Sequence, residues 1–380
     1  MKVIIAPDSF KESLTAYQVC CAIKQGMQRV FCDAEFELVP MADGGEGSVD
    51  AMLAATAGNK RFVQVQGPAG ETVEAFYGLI DAGKTAIIEM AAASGLHLLA
   101  PQQRDARYSC SFGTGELIND ALQQGVEHII VCLGGSATND AGAGMLRALG
   151  FKLLDAKHDD VAPGGIHLSE VMAIDDSHVN PLLAQTNITL ACDVDNPLCG
   201  PQGASHIFGP QKGATAEVIK QLDGALKHFA ELLQQTFHCQ IIDRPGSGAA
   251  GGTAAALMAT VNAQMQPGID MLIEQLQLAD RIATSDLVIT GEGRIDGQSV
   301  HGKTPVGVSR VSRQYHVPTI AVCGSIGDDY EKVYAHGIDA VFSILAKPQS
   351  LTDALIDAEQ NLVNTSENIA RALKLAGFKR

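Results

Sequence analysis

Residues 297–304 read Gly-Gln-Ser-Val-His-Gly-Lys-Thr, a literal match to the phosphate-loop pattern G-x-x-x-x-G-K-[ST]. In that pattern backbone N–H groups wrap a nucleotide's phosphates while the lysine neutralises them. The chemistry needs a buried strand running straight into the first glycine and a helix starting at the lysine. Here the apolar run ends near Thr290, and Gly-Glu-Gly-Arg-Ile-Asp (291–296) intervenes. No short apolar strand ending in aspartate stands out as a magnesium-holding partner. The match therefore suggests phosphate chemistry without a P-loop fold, and keeps Lys303 as a phosphate contact.

A second loop, Gly134-Gly135-Ser136-Ala137-Thr138-Asn139-Asp140, follows the apolar run 129–133 and leads into a Gly/Ala-rich stretch able to start a helix. Strand, glycine loop and helix N-terminus make an anion site from free N–H groups and the positive dipole end. Gly134, Gly135, Ser136, Thr138, Asn139 and Asp140 are the expected contacts. The competing reading is a tight turn with Asp140 capping the helix. A third glycine stretch, 245–253, suits either ligand approach or close helix packing. Lys212, in an exposed turn before a helix, needs no function; contact with a phosphate or carboxylate is the alternative.

Carboxylates mark several strand ends. Asp193 and Asp195 follow the run 188–192, and Glu292 and Asp296 flank Arg294 beyond 286–290. Such groups hold Mg²⁺ shared with substrate phosphates, or accept a hydroxyl proton. Turn chemistry, capping and an internal ion pair are the alternatives.

The elements that must position these loops are legible as a rhythm. Residues 3–6 form a doubly buried strand, followed by the loop 7–13 and a helix over about 15–30 with Ser13 or Thr15 as N-cap. Another strand, 36–39, ends at the acidic glycine turn 41–47. After Gly58 the runs 62–65, 73–79 and 85–90 are joined by short turns, which predicts an antiparallel section. The β/α rhythm returns near Asp286 with strands 286–290, 319–323 and 340–344, a helix from about Pro305 and a long one through 353–375. The fold class is thus α/β. A doubly wound domain from both chain ends (1–60 plus 285–380) carries an inserted α/β domain with a mixed sheet (61–284). Ligands in open parallel sheets sit beyond the carboxyl ends of the strands. That rule sends Asp8, Lys11, Asp43, Glu46, Glu292 and Asp296 to one rim.

The 380 residues exceed the roughly 250–300 at which single cores usually split. A formal charge of −16 argues against nucleic acid or an anionic membrane as partner. Nine scattered cysteines, without zinc spacing or a signal peptide, indicate free thiols and the cytoplasm. No apolar run reaches the ~18 residues of a membrane span.

The chain resembles the type-1 glycerate kinases essentially from end to end. The residues carrying the likeness are Pro7 to Ala16, Ala42 to Gly47, Gly113-Thr114-Gly115, Gly134 to Asp140 and Cys192 to Leu198. Phe208 to Ala214, Gly248 to Gly252 and Thr290 to Asp296 complete the set. Glu12 stands where glycine is expected in relatives, which touches only local loop shape. The resemblance implies two domains, one flavodoxin-like, and Mg²⁺-dependent transfer from ATP to glycerate in an inter-domain cleft. (R)-glycerate going to 2-phosphoglycerate is the expected reaction. A glycerate 3-kinase, or a kinase of a related small hydroxy acid, is the alternative. A dinucleotide-dependent oxidoreductase would want G-x-G-x-x-G after the first strand, which 7–13 lacks. A non-catalytic small-ligand sensor leaves the many acids and cations unexplained.

Phosphoryl transfer asks mainly for positioning and charge neutralisation. Asp8, Asp43, Asp193 and Glu292 are the expected Mg²⁺ ligands, Lys11 and Lys303 the cations for the transferring oxygens. Arg294 and Ser9 are expected on glycerate, and Asp193 or Asp296 as the proton acceptor. Oligomeric state is not legible.

Overall fold

The computed structural model describes residues 1–300 and 302–378, so His301 of the phosphate-loop match lies outside the described residues. The chain splits into two compact units. The first comprises Met1–Asp43, Asp50–Thr56 and Pro267–Arg380, the second Gly44–Val49 and Ala57–Gln266.

The first unit holds five parallel strands: β1 (Lys2–Ile5), β2 (Glu35–Leu38), β11 (Leu287–Ile295), β12 (Thr319–Ile326) and β13 (Ala340–Ser343). Their order is β2-β1-β11-β12-β13, all pairs parallel. Counted along this unit alone, that is the flavodoxin order 2-1-3-4-5, with its reversal between β1 and β11. Val3, Ile4 and Ile5 are fully buried, as a strand covered on both faces requires. One face packs on the helices Ala16–Gln28 and Ala358–Leu375. The other is covered by the helix Thr304–Gln314 and the turn Tyr330–His336.

The helix Ala16–Gln28 starts where a capping box says it should: Gln18 N–H donates to Thr15 Oγ1, and Thr15 N–H donates to Gln18 Oε1. The long helix expected over 353–375 is instead two, Leu351–Ile356 and Ala358–Leu375, broken at Asp357. A helix at Ser48–Ala55 is a further element, not anticipated from the sequence. Residues 267–284, expected with the insert, group with the first unit. Their helices Gly268–Gln275 and Leu278–Ala283 pack on Thr304–Gln314.

β11 departs most from expectation. Rather than ending near Thr290 it runs to Ile295, because β12 pairs with it through Arg294↔Ser325 and Ile295↔Ile326. The strand therefore reaches within one residue of Gly297, and the helix begins at Thr304 with Lys303 as N-cap. The expected displacement between strand and glycine is nearly absent; the local order is strand, loop, helix.

The second unit is built on a mixed sheet. β3 (Asn59–Gln66) and β4 (Thr72–Ile80) are antiparallel, and β4 pairs antiparallel with β5 (Thr85–Glu89). From β5 the sheet continues parallel through β6 (His128–Cys132), β9 (Asn187–Ala191) and β10 (Gln264–Gln266). A small antiparallel pair, β7 (Lys152–Leu154) with β8 (Ala173–Asp175), stands apart. The helices Phe112–Gln123, Ala216–Phe237 and Thr253–Val261 bury Leu117, Phe229 and Leu257 in its core. No described helix is long and apolar enough to cross a membrane.

Candidate active site

In the first unit, functional side chains collect where β1 ends beside Ile289 of β11, which runs on to Ile295. Asp8 N–H donates to Gly291 O (2.8 Å), and Thr290 Oγ1 donates to Ala6 O (2.8 Å). These bonds pin the loop after β1 against β11 at the topological switch, the usual ligand position of such sheets.

Asp8 is 8% exposed. Its Oδ1 accepts from Ser9 N–H (2.6 Å) and Ser9 Oγ (3.2 Å), and its Oδ2 accepts from Thr304 Oγ1 (2.9 Å). Burial, reinforced by the charge of Asp43, pushes its carboxyl up to about 6 despite those bonds and Lys11. Lys11 Nζ lies 3.8 Å from Asp43 Oδ2 with its side chain 75% exposed, a weak surface pair.

Glu292, inside β11, is equally buried. Ser299 Oγ donates to its Oε1 (2.6 Å) and Lys303 Nζ to its Oε2 (3.0 Å). Burial still raises its pKa, helped by Asp296 and opposed by Ser299 and Lys303. One of these partners is a cation, whereas Ser9 and Thr304 on Asp8 are neutral donors, so Glu292 suits a residue that fixes Lys303 better than a direct metal ligand. Asp296 holds Arg294 (Nε–Oδ2 3.2 Å) and accepts from Gln298 N–H (2.9 Å). The internal ion pair weighed as a rival for these two residues is therefore present. Among the six acids and cations sent to one rim, Glu46 falls in the second unit, with Gly44–Val49.

In the second unit the loop Gly134–Asp140 follows β6. Gly135 is exposed, whereas Thr138, Asn139 and Asp140 are completely buried. Asp140 accepts from Ser111 N–H (2.9 Å), Ser111 Oγ (2.8 Å), Gly142 N–H (3.2 Å) and Gly144 N–H (3.2 Å). The expected free amides at a helix start are therefore already satisfied, and the helix they open, Ala143–Ala148, is short. Asn139 Nδ2 donates to Ser205 Oγ (2.9 Å). The last three residues of the loop shape it from within; Gly134, Gly135 and Ser136 form its first turn, with Gly135 exposed and Ser136 buried at 6%.

Two segments back this loop. Gly251, at φ +64°, lies so close that a Cβ there would stand 2.1 Å from Thr138 O. Gly251 O also accepts from Ala141 N–H (2.9 Å). The 245–253 stretch thus packs against the loop's inner side. Lys212, expected in an exposed turn, is instead 2% exposed, with Nζ donating to Ser136 Oγ (2.9 Å) and Thr138 O (2.6 Å). Nothing in its local sequence signals that burial. Asp193, just past β9, is exposed.

Magnesium keeps several waters and needs only one or two carboxylates beside substrate phosphates. Among the described residues no group of three or more His, Cys, Asp or Glu side chains is arranged as a metal cage. Asp8, whose pKa is raised by burial and by its neighbour Asp43, fits that sparser donor set.

The chain matches the family model described as the glycerate kinase family over residues 3–374. It is 52% identical to a glycerate kinase of Haemophilus influenzae, over 98% of this chain and 99% of that protein. It is 51% identical to a glycerate 2-kinase of Escherichia coli, over 99% and 98% respectively. A crystal structure from Salmonella typhimurium LT2, provisionally named glycerate kinase 2, superposes with a TM-score of 0.90 at 50% identity, covering both chains fully.

Proposed function

The chain belongs to the glycerate kinase family, and from that membership we propose that it transfers the γ-phosphoryl group of ATP to glycerate, at the 2-hydroxyl. The reaction class follows from end-to-end likeness at about half identity. The choice of the 2-hydroxyl is supported by the relative named a glycerate 2-kinase. The observation carrying the site is Glu292 of β11 holding Lys303, whose neighbour Thr304 bonds Asp8 just past the carboxyl end of β1.

Each residue then has a job set by its surroundings. Gly134, Gly135 and Ser136 cradle ATP phosphates, with Thr138, Asn139 and Asp140 holding that turn in shape. Asp8 and Asp43 would hold Mg²⁺, directly or through water, and the ion when bound neutralises phosphate charge. Glu292 and Ser299 keep Lys303 aimed at the transferring oxygens, and Lys11 adds a second, more mobile cation. Arg294, with most of its side chain exposed, and Ser9 suit the glycerate carboxylate and hydroxyls. Asp193, exposed beyond β9, accepts the substrate's hydroxyl proton. None of the nine cysteines forms a disulfide, which supports a cytoplasmic setting.

³¹P NMR of the enzyme with ATP, Mg²⁺ and glycerate tests the reaction. A new phosphomonoester resonance split by one proton is expected. Splitting by two protons reassigns the product to the 3-position, and absence of ATP consumption overturns the kinase reading. For the proton acceptor, Asp193→Asn is expected to abolish most turnover with ATP affinity intact. Near wild-type kcat removes Asp193 from the role.

A further inference from the structure

Lys212 has no part in the roles above, yet its placement is tightly determined. It ends the turn Pro210–Lys212, which closes on Gly213 at φ +88°. A Cβ on Gly213 would lie 2.2 Å from Arg104 O, so the turn is pressed against that segment and the lysine is carried inward. Among the described residues it is the one lysine in the buried set.

An ammonium group has three N–H donors and no acceptor. Nζ directs two of them to Ser136 Oγ and Thr138 O. No carboxylate lies within ion-pair distance of it among the described residues. The charged group acting on it is Asp140, at the end of the Gly134–Asp140 loop and already bonded to four donors. A buried charge without a counter-ion is costly, and burial accordingly pushes Lys212 down to about 7. Thr138 Oγ1 is likewise buried without a hydrogen-bond partner, so the loop's interior holds unmet polar capacity.

Because Ser136 Oγ accepts from Nζ, the serine's own hydrogen must turn elsewhere. We propose that Lys212 is a positioning residue that sets the Ser136 hydroxyl to donate to an oxyanion on the Gly134–Ser136 turn, and that this oxyanion is the counter-charge the buried ammonium lacks. The inference rests on the reading that this loop cradles ATP phosphates. A glycerate carboxylate has the same chemistry, and kinetics separates the two sources.

Ser136→Ala, Lys212→Met and the double variant are assayed with each substrate varied in turn. A hydrogen bond to a charged partner corresponds to about a tenfold change in binding. Each single variant is therefore expected to raise the KM for ATP roughly tenfold and to leave that for glycerate within about twofold. The double variant should be no worse than either single, since both act through one contact. If Ser136→Ala raises the ATP KM while Lys212→Met does not, the inference about Lys212 is overturned and the cradle stands. If both raise the glycerate KM instead, the cradle reading falls and Lys212 keeps its role on a carboxylate. If neither variant moves either KM, both readings fall. Should Lys212→Met not fold, ¹⁵N-lysine NMR of the wild-type protein with tripolyphosphate decides. The most slowly exchanging ammonium resonance should shift on titration, and an unmoved resonance overturns the inference.

Discussion

Lys303 Nζ and Glu292 Oε2 stand 3.0 Å apart, one at the N-cap of a helix and the other inside the strand that precedes it. With Ser299 on the other carboxylate oxygen, the pair fixes a cation at the end of β11 that would otherwise sample many rotamers. Lys303 side-chain exposure of 36% leaves the ammonium reachable. Losing a group that stabilises developing charge in transfer typically costs about 10²–10³ in turnover. Lys303→Met is therefore expected to lower kcat by that order with its fold intact. Glu292→Gln, which keeps the cation but loosens it, should cost about tenfold. Steady-state kinetics with circular dichroism as control checks both. Unchanged kcat in Lys303→Met would return this pair to a structural role.

Asp8 and Thr304 give a pH signature. The Asp8 carboxyl is raised from 3.8 to about 6 by burial and by Asp43. Any role on a metal or proton requires it ionised, so kcat/KM should fall on the acid side with an apparent pKa near 6. The Thr304 hydroxyl bond favours the ionised form, so Thr304→Val should move that limb to higher pH. Stability runs the opposite way. Between about 3.8 and 6 the folded state binds more protons than the unfolded one, so Asp8 lowers stability as pH rises through that window. Asp8→Asn is expected to raise Tm at pH 7.5 while abolishing turnover, measurable by calorimetry beside the assay. A lower Tm would mean that the bonds to Ser9 and Thr304 outweigh the burial of charge.

Legibility followed physical cause. Buried parallel strands such as β1 and β6 are continuous apolar runs, and Thr15 with Gln18 spells a helix start, so the alternation of elements could be read directly. β11 could not. Gly291, Glu292 and Gly293 have weak strand preference, and the strand persists through them only because β12 supplies partners. The polar residues Thr138 to Asp140 look like ligand contacts in sequence, but the partners Ser111 and Ser205 come from distant segments. Lysine before a helix normally reads as solvated; only the tertiary position of Pro210–Lys212 buries Lys212.

Gly251 offers a test of how far the loop's first turn depends on its backing. At φ +64°, with Thr138 O only 2.1 Å from where an added methyl carbon would stand, alanine brings both backbone strain and a collision. Each is of order 1–3 kcal/mol. Gly251→Ala should destabilise the protein by about 2–4 kcal/mol and raise the KM for ATP more than that for glycerate. Urea unfolding and kinetics check the two halves. A destabilised variant with an unchanged ATP KM would separate the loop's packing from nucleotide binding.

Lys212 carries the opposite linkage to Asp8. Its pKa falls from 10.5 to about 7 on folding, because burial disfavours the charged form more than Asp140 favours it. Between about pH 7 and 10.5 the unfolded chain therefore binds the extra proton, and wild-type stability gains as pH rises through that range. The slope is at most about 1.4 kcal/mol per pH unit. Lys212→Met has no proton to release, so its urea midpoint should vary less between about pH 7 and 9 than that of the wild type. Tripolyphosphate, by supplying an anion to the ammonium, should return the lysine to its charged form and flatten the wild-type slope toward that of the variant. A slope identical in the two proteins without the anion would mean that the buried ammonium keeps its proton unaided. Two hydrogen bonds and the distant Asp140 would then suffice to hold a full charge beneath the loop.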